Sequence, residues 1–564
     1  MAWQKVASLG EFGDREVLAV DLAGTALALF RLGTEIHATG GSCTHEFADL
    51  ANGFVEAADG TVECPLHQAM FDIRSGRALC APATEGLKVY AVKVEGTDIF
   101  IDPEGVHAAA APGASAPQAG QAHEAAPAAG VTQNGGSLVQ KNEKNEKNEK
   151  NGGSLVQNYV WPDDDLSLVP DWVYTDPYIY EREIERIFHG PTWNFVALEA
   201  EVEKPGDFIR SHVGPTPVVV ARAEDGSIHV FENRCAHRAS EFCRMLSGST
   251  KEFVCPYHQW TYDLKGNLVG IPFRRGIAGK GGMPADFDAE RHGLRRLHVT
   301  SHRGVVFASY APQMESLADY LGPEVLREFE ATFDGRKLKV LGHYRHSLPG
   351  NWKLYHENLK DPYHATLLHT FLVTFGLLVV GNRSLMLADK SGRHGVMASA
   401  KSEAKALSGA AKKEMRSFNE GLTLHEKRFM NFVEEFDSPW SVTMATIWPN
   451  LIVQREMNTL GVRQIVPDGP HEFVMKWTMF GFEGDDEEMT RHRLRQGNLM
   501  GPAGFLGLED NEAIKFVQDG MRRVPGGTHL VKLDPQTGEG TADTLISEAA
   551  IRAMYRHWRE AMGV

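Results

Sequence analysis

Short apolar runs set the rhythm of the first hundred residues. Segments such as EVLAV, ALALFRL, KVYAVKV and DIFI alternate or run apolar between Gly and Asp turns. This is the period-two pattern of strands, and it predicts a small all-β domain over residues 1–105. The same style returns in DFIRSHV, PVVVARA, IHVFEN and GVVFASY, predicting a second all-β domain over 158–300. From about His343 the chain changes character: helical stretches (SLADYLGPEVLREFEATF, SEAAIRAMYRHWREAM) flank longer strands (LIVQREMNTLGVRQIV, HEFVMKWTMFGF). The region 301–564 therefore reads as an α+β domain with an antiparallel sheet flanked by helices. Between the first two domains, residues 106–157 lose all periodicity, and NGGSLVQ occurs on both sides of KNEKNEKNEKN. Such composition cannot offset its own ordering entropy. It predicts a flexible linker with an end-to-end distance of roughly 40 Å.

A chain of 564 residues accommodates three or so domains. A net charge of -16, with no dense Lys/Arg patch, argues against nucleic acid as a partner. The start, MAWQKVASLGEFGDREV, lacks a basic segment followed by an apolar run. TALALF and FLVTFGLLVVG are too short to span a bilayer. These features predict a cytoplasmic protein without membrane attachment. Of six cysteines, four sit beside histidines in two motifs; Cys80 and Cys243 read as small buried hydrophobes rather than a disulfide framework.

Those two motifs carry the chemistry. Cys43-x-His45 is followed by Cys64-x-x-His67, and Cys235-x-His237 by Cys255-x-x-His258. CPLHQAMFDIRSGRAL and CPYHQWTYDLKGNL further share the Pro after Cys, the Gln after His, an aromatic-Asp pair and a Gly turn, marking an internal duplication. Two thiolates and two imidazoles could hold zinc. A Rieske [2Fe-2S] centre, however, needs two Cys on one iron and two His on the other, so each loop must supply one of each. Both motifs meet that requirement, giving two expected clusters.

A third constellation lies in NWKLYHENLKDPYHATLLH, where Asp361, His364 and His369 follow Glu357 and Asn358. Asp361 and His364 are helix-face neighbours. His364 and His369 can share a metal only if the helix is distorted or begins again between them. Two His and one carboxylate suit a mononuclear Fe(II) that activates O2. GPAGFLGLEDNEAIKF offers Glu509, Asp510 and Glu512 as the distant carboxylate.

With CAH…CPYH, ENLKDPYHATLLH and GPAGFLGLEDNEA in that order, residues 158–564 resemble the large (α) subunit of Rieske non-heme iron ring-hydroxylating oxygenases. Residues 1–105 resemble the separate Rieske ferredoxin of naphthalene-dioxygenase-type systems. The resemblance implies His364, His369 and Asp510 as iron ligands, with Asn358 and Tyr363 near the iron. It implies that Asp361 bridges the cluster ligand His258 of one subunit to His364 of its neighbour in a ring of three subunits, an α3 or, with a small β subunit, α3β3 assembly. A helix N-cap ahead of Pro362 is the alternative role for Asp361. The resemblance also implies an NAD(P)H-dependent flavoprotein reductase. No G-x-G-x-x-G fingerprint between strand and helix occurs in the chain, so the reductase is expected as a separate protein. HSLPGNWKLYHENLKDPYHATLLHTF and RQGNLMGPAGFLGLEDNEA look most like the subgroup acting on benzoate-type acids with an ortho hydroxyl or amino group, typified by salicylate 5-hydroxylase. An aromatic carboxylate needs a cation in an apolar pocket. Arg455 and Arg463, on LIVQREMNTLGVRQIV, read as candidates on one strand face, with an outward salt bridge as the ordinary alternative. Cis-dihydroxylation of an uncharged arene and pure electron transfer are the competing functions.

Overall fold

The computed structural model describes residues 3–108 and 159–564, except 14, 23, 46–47, 58, 65–68, 80–82, 84, 163–165, 376, 378–382, 401–418, 420 and 525. Two compact units result, Met1–Glu149 and Lys150–Val564. The expected linker lies outside the described residues from position 109 on, and its first residues continue the strand Asp98–Ala108. Among the described residues, no helix is long and apolar enough to cross a membrane.

In the first unit six antiparallel strands form a sheet in the order Gln4–Ser8, Asp98–Ala108, Lys88–Glu95, Glu35–Gly40, Thr25–Leu32, Val17–Leu22. The run TALALF is apolar at successive positions because its strand is covered on both faces. Ala28, Phe30 and Leu32 pack with Cys43, Leu50 and Cys64, while Leu27 and Leu29 pack with Ile99 and Ile101. A three-stranded sheet, Phe54–Glu56, Thr61–Glu63 and Met70–Asp72, carries the second Cys-x-x-His loop.

The second unit begins with a comparable arrangement. Asp207–Val213, Thr216–Arg222, Ile228–Glu232 and Ser247–Ser249 form one sheet, and Glu252–Val254, Thr261–Asp263 and Leu268–Gly270 form a small one. In both units the Cys-x-x-His loop joins two short antiparallel strands, with Val62 opposite Phe71 in one and Phe253 opposite Tyr262 in the other.

Seven antiparallel strands then form the largest sheet, in the order Leu338–Leu348, Phe473–Phe482, Thr459–Pro467, Leu451–Glu456, Val442–Ile447, Gly395–Ser399, Ser384–Ala388. Its side chains alternate between two cores, as a pleated strand requires. Met397, Met444 and Ile452 join Trp352 and Tyr355 of helix Trp352–Lys360 and Trp558 of helix Ala549–Met562. Val396, Ala445 and Val453 pack on the other face against Val325 and Phe329 of helix Leu317–Thr332.

One expected strand is corrected. LIVQREMNTLGVRQIV is a hairpin, Leu451–Glu456 paired with Thr459–Pro467, turning at Met457 with φ 56°. Arg455 lies opposite Leu460 and Arg463 opposite Ile452, and the turn places the two arginines on opposite faces. Neither makes an outward salt bridge, for Arg455 is 1% and Arg463 4% exposed. Arg455 donates to the Ala331 carbonyl and to Ser438 Oγ.

Candidate active site

Helix Trp352–Lys360 starts on an Asn351 cap and stops at Asp361, whose carboxylate accepts from the backbone N–H of Tyr363 and His364 at 2.9 and 3.2 Å. With Pro362 at its first position, this cap begins the short helix Pro362–Ala365. A new helix, Thr370–Thr374, opens directly after His369. The break that the spacing of the two histidines demands thus falls between them. Asp510 projects from the helix Phe505–Arg523, which follows the GPAG turn.

His364, His369 and Asp510 converge, with one donor atom from each all within 4.8 Å of one another. Both imidazole Nε2 atoms lie 3.3 Å from Asp510 Oδ1. Asn358 Nδ2 is 3.1 Å from the same oxygen and 3.2 Å from His364 Nε2. Each ring also has a carboxylate at its far nitrogen: Asp361 Oδ2 lies 3.3 Å from His364 Nδ1, and Glu509 Oε2 2.8 Å from His369 Nδ1. The hydrogen bond to Glu509 fixes the His369 ring and directs its Nε2 to a metal, whereas Asp361 faces His364 Nδ1 as a charge contact without a hydrogen bond. Burial opposes charge on His364, but Asp361 and Asp510 outweigh it and hold its pKa up at about 10. His369 is raised in the same way, against burial, by Asp510 and Glu509. Asp510 is held well below the carboxylate range, the two histidines overcoming its burial. Two imidazole nitrogens and one carboxylate oxygen suit ferrous iron and leave coordination positions open.

The cleft over this triad is lined by Leu372, Met397, Val442, Met444, Met500 and Leu506, together with Glu456 and Arg463. It encloses about 40 Å³, less than an aromatic ring occupies. The unbranched methionine side chains can repack to enlarge it. Arg463 donates to Tyr355 Oη at 2.6 Å and stacks 3.8 Å over the Trp477 ring. Its Nε is buried without a partner, and among the described residues no carboxylate is within ion-pair distance. Arg455, on the other face, does not line the cleft. Glu512 turns to Lys515 at 3.9 Å, and Tyr363 is partly exposed. Glu357 is half-buried and accepts from Tyr174 and Tyr555. The sequence reading missed Glu456 and Tyr355. A terminal Glu in an apolar alternation resembles an ordinary strand end, and only the cross-strand register signals otherwise.

The cluster loops repeat one backbone device. Cys235 N–H donates to Ser240 O and Cys255 N–H to Trp260 O, each at 2.8 Å, five residues on. Ala239 and Gln259, four residues after each Cys, take φ of 59° and 55°. The thiols are buried, and the His237 and His258 rings lie 4.6 Å apart. Tyr262 Oη is 3.2 Å from Cys235 Sγ and accepts from Ala236 N–H at 3.0 Å. In the first unit, Cys43 N–H donates to Ala48 O and Cys64 N–H to Ala69 O, again at 2.8 Å and five residues on. Cys43 and Cys64 are buried and His45 is exposed; His67 and Cys80 lie outside the described residues. Cys243 packs in the core beside the second pair.

Comparison with known proteins fits this geometry. The Rieske [2Fe-2S] domain family matches residues 2–91 and 192–279, and the ring hydroxylating alpha subunit (catalytic domain) family matches 335–564. The large oxygenase component of salicylate 5-hydroxylase from a Ralstonia species is 44% identical over 420 residues, 72% of this chain and 97% of that one. The chain belongs to the ring-hydroxylating oxygenase α subunits. Another such subunit, the anthranilate 1,2-dioxygenase large subunit of Burkholderia cepacia, is 42% identical over 404 residues, covering 72% and 95%. The crystal structure of naphthalene 1,2-dioxygenase from Rhodococcus sp. bound to indole superposes with a TM-score of 0.58 at 25% identity, over 70% of this chain and 94% of that one. As a ring-hydroxylating oxygenase α subunit, the chain is a Rieske non-heme iron enzyme, with a Rieske cluster and a mononuclear iron as its cofactors.

Proposed function

We propose that this oxygenase hydroxylates an aromatic carboxylic acid of the salicylate or aminobenzoate type, using O2 and electrons from a separate NAD(P)H-dependent flavoprotein reductase. The observation that carries this reading is Arg463, a buried cation without a carboxylate partner in the same cleft as the triad. An uncharged arene would leave its guanidinium unpaired, which is costly in a desolvated site. A ring carboxylate pairs with it. Two relatives named for aromatic acids, salicylate and anthranilate, agree.

His364, His369 and Asp510 hold the ferrous ion in this proposal, and that ion supplies O2 activation. Glu509 fixes the His369 imidazole, Asp361 places its charge beside the His364 ring, and Asn358 steadies Asp510. Cys235, His237, Cys255 and His258 hold the Rieske cluster of the second unit. We assign a second cluster to Cys43, His45, Cys64 and His67, supported by the shared loop closures and by the family match over residues 2–91. Ring hydroxylation needs two electrons and a [2Fe-2S] cluster carries one, so the first unit acts as a tethered donor. In a ring of three subunits, exposed Met245, Leu246, Tyr257 and Phe273 of the cluster-bearing domain would meet exposed Phe505, Leu508 and Phe516 of the neighbour's helix Phe505–Arg523, which carries Asp510. Asp361, 24% exposed, would then reach the neighbour's His258.

The test is substrate-dependent O2 uptake with reductase and NADH. Uptake with salicylates or aminobenzoates is the expected result, and none with any arene or acid would leave only an electron-transfer protein. His364→Ala should abolish turnover and leave both cluster spectra intact; retained activity excludes this iron site. Labelled oxygen in the product counts the atoms inserted.

A further inference from the structure

We propose that Glu456 is a second anchor in the cleft and selects aromatic acids carrying a hydrogen-bond donor, a hydroxyl or an amine, on the ring. The inference rests on the reading of Arg463 as the carboxylate partner. Glu456 ends the strand Leu451–Glu456, opposite Val442 and Thr459, whereas Arg463 lies opposite Ile452 and Trp477. Positions 452, 454 and 456 share one face, and so do 459, 461 and 463. The register therefore aims both charged side chains at the side that carries the triad, and both line the cleft with His364, His369 and Asp510. Glu456 is 7% exposed, and the Gln454 amide donates to its Oε2.

These two groups share a cleft without touching, since no ion pair under 4.0 Å joins them or joins either to another charged residue among the described residues; burial pushes the Glu456 carboxyl up, and the Arg463 cation opposes that only from a distance. A buried cation and a buried carboxyl left apart are each costly. A ligand with an anionic group at one end and an O–H or N–H at the other would satisfy both. A simple benzoate satisfies one of them, and an uncharged arene neither. In either protonation state Glu456 keeps an acceptor oxygen for that donor. Away from the triad and Asn358, the remaining lining is aliphatic and thioether side chains, which suit the ring face and offer no hydrogen bond of their own. A site built to accept a hydrogen bond discriminates strongly against a ligand lacking it, because the acceptor is then left dry and unpaired.

Equilibrium binding to the full, assembled enzyme under anaerobic conditions tests this without turnover. Calorimetry compares benzoate, the three aminobenzoate isomers and the three methylbenzoate isomers. At least one amine isomer should bind about 10- to 100-fold more tightly than its methyl counterpart. Glu456→Leu should collapse that ratio toward one. Equal binding of amine and methyl isomers at every ring position overturns the proposal even if the variant cannot be prepared, as does a ratio that survives in Glu456→Leu. Arg463→Met separates the two ideas. It should weaken every acid, and if it weakens none, the carboxylate reading itself is wrong.

Discussion

At the scale of single residues, protons and hydrogen bonds decide the behaviour of the metal sites. Asp361 and Asp510 raise His364 to about 10, so the metal-free protein carries it protonated at neutral pH. A folded-state value above the unfolded one near 6.5 contributes stability that is complete below about 6.5 and lost as pH rises through about 10. A metal ligand must be neutral, so iron and this proton compete. Ferrous iron added anaerobically to metal-free protein at pH 7 in weak buffer should release protons, and its apparent affinity should climb with pH. Asp361→Asn removes one of the carboxylates that hold the proton and should reduce the release at the same pH. Iron uptake with no proton release in the unaltered protein would dissociate His364 from the metal. Tyr262 is the corresponding control over the cluster, since its hydroxyl reaches Cys235 Sγ at 3.2 Å. Hydrogen bonds to cluster sulfur raise the reduction potential. In the first unit Phe71 occupies the equivalent register position and has no hydroxyl. Tyr262→Phe should lower the potential of its cluster in a potentiometric titration while leaving its amplitude unchanged, and an unmoved midpoint would show that the contact does not act on the sulfur.

Elements explain which parts of the site could be read from the chain. The strands of both small domains follow from alternation, and the helix Ala549–Met562 from its three-to-four-residue spacing of Ile551, Met554, Tyr555 and Trp558. The break between His364 and His369 was legible because five residues subtend too large an angle on one continuous helix. The turn at Met457 was not legible, because neither Met457 nor Asn458 is the Gly or Pro that punctuates most turns. What holds that turn is tertiary: Asn458 N–H donates to Gln496 Oε1, and its amide donates to the Val433 carbonyl. Missing it put Arg455 and Arg463 on one face and left Glu456 unremarked. Long-range packing also determines Glu183, which joins three helices. Its carboxylate accepts from Trp352 Nε1 at 2.9 Å and Trp558 Nε1 at 2.7 Å, and pairs with Lys353 at 2.7 Å with both side chains fully buried. Glu183→Gln should leave Lys353 charged or force its deprotonation, at a cost of about 3–5 kcal/mol to this domain. Chemical denaturation followed by tryptophan fluorescence measures it; a change under about 1 kcal/mol would mean the pair contributes little net stability.

At the scale of the whole chain, the proposed donor role of the first unit makes a prediction about the tether. Residues 106–157 read from sequence as a coil of roughly 40 Å end to end, and flexible tethers of this kind give effective concentrations in the millimolar range. Electron transfer from the first unit should then be intramolecular. Turnover per chain should stay constant as the oxygenase is diluted at saturating reductase. A protease site placed within KNEKNEKNEKN and cleaved should leave both pieces folded, since each has its own hydrophobic core. Cleavage should reduce activity at micromolar protein by 10- to 1000-fold, and adding back the isolated 1–105 piece should restore it along a saturation curve. The two controls above bear on the same point. If the first unit carries the proposed second cluster, the absence of a hydroxyl at Phe71, against Tyr262 in the second unit, should place the first unit at the lower potential in the same titration, so that electrons pass downhill into the oxygenase. If cleavage leaves the rate unchanged at every dilution, the first unit is not the obligatory donor, and the reductase must deliver electrons directly to the cluster at Cys235 and Cys255.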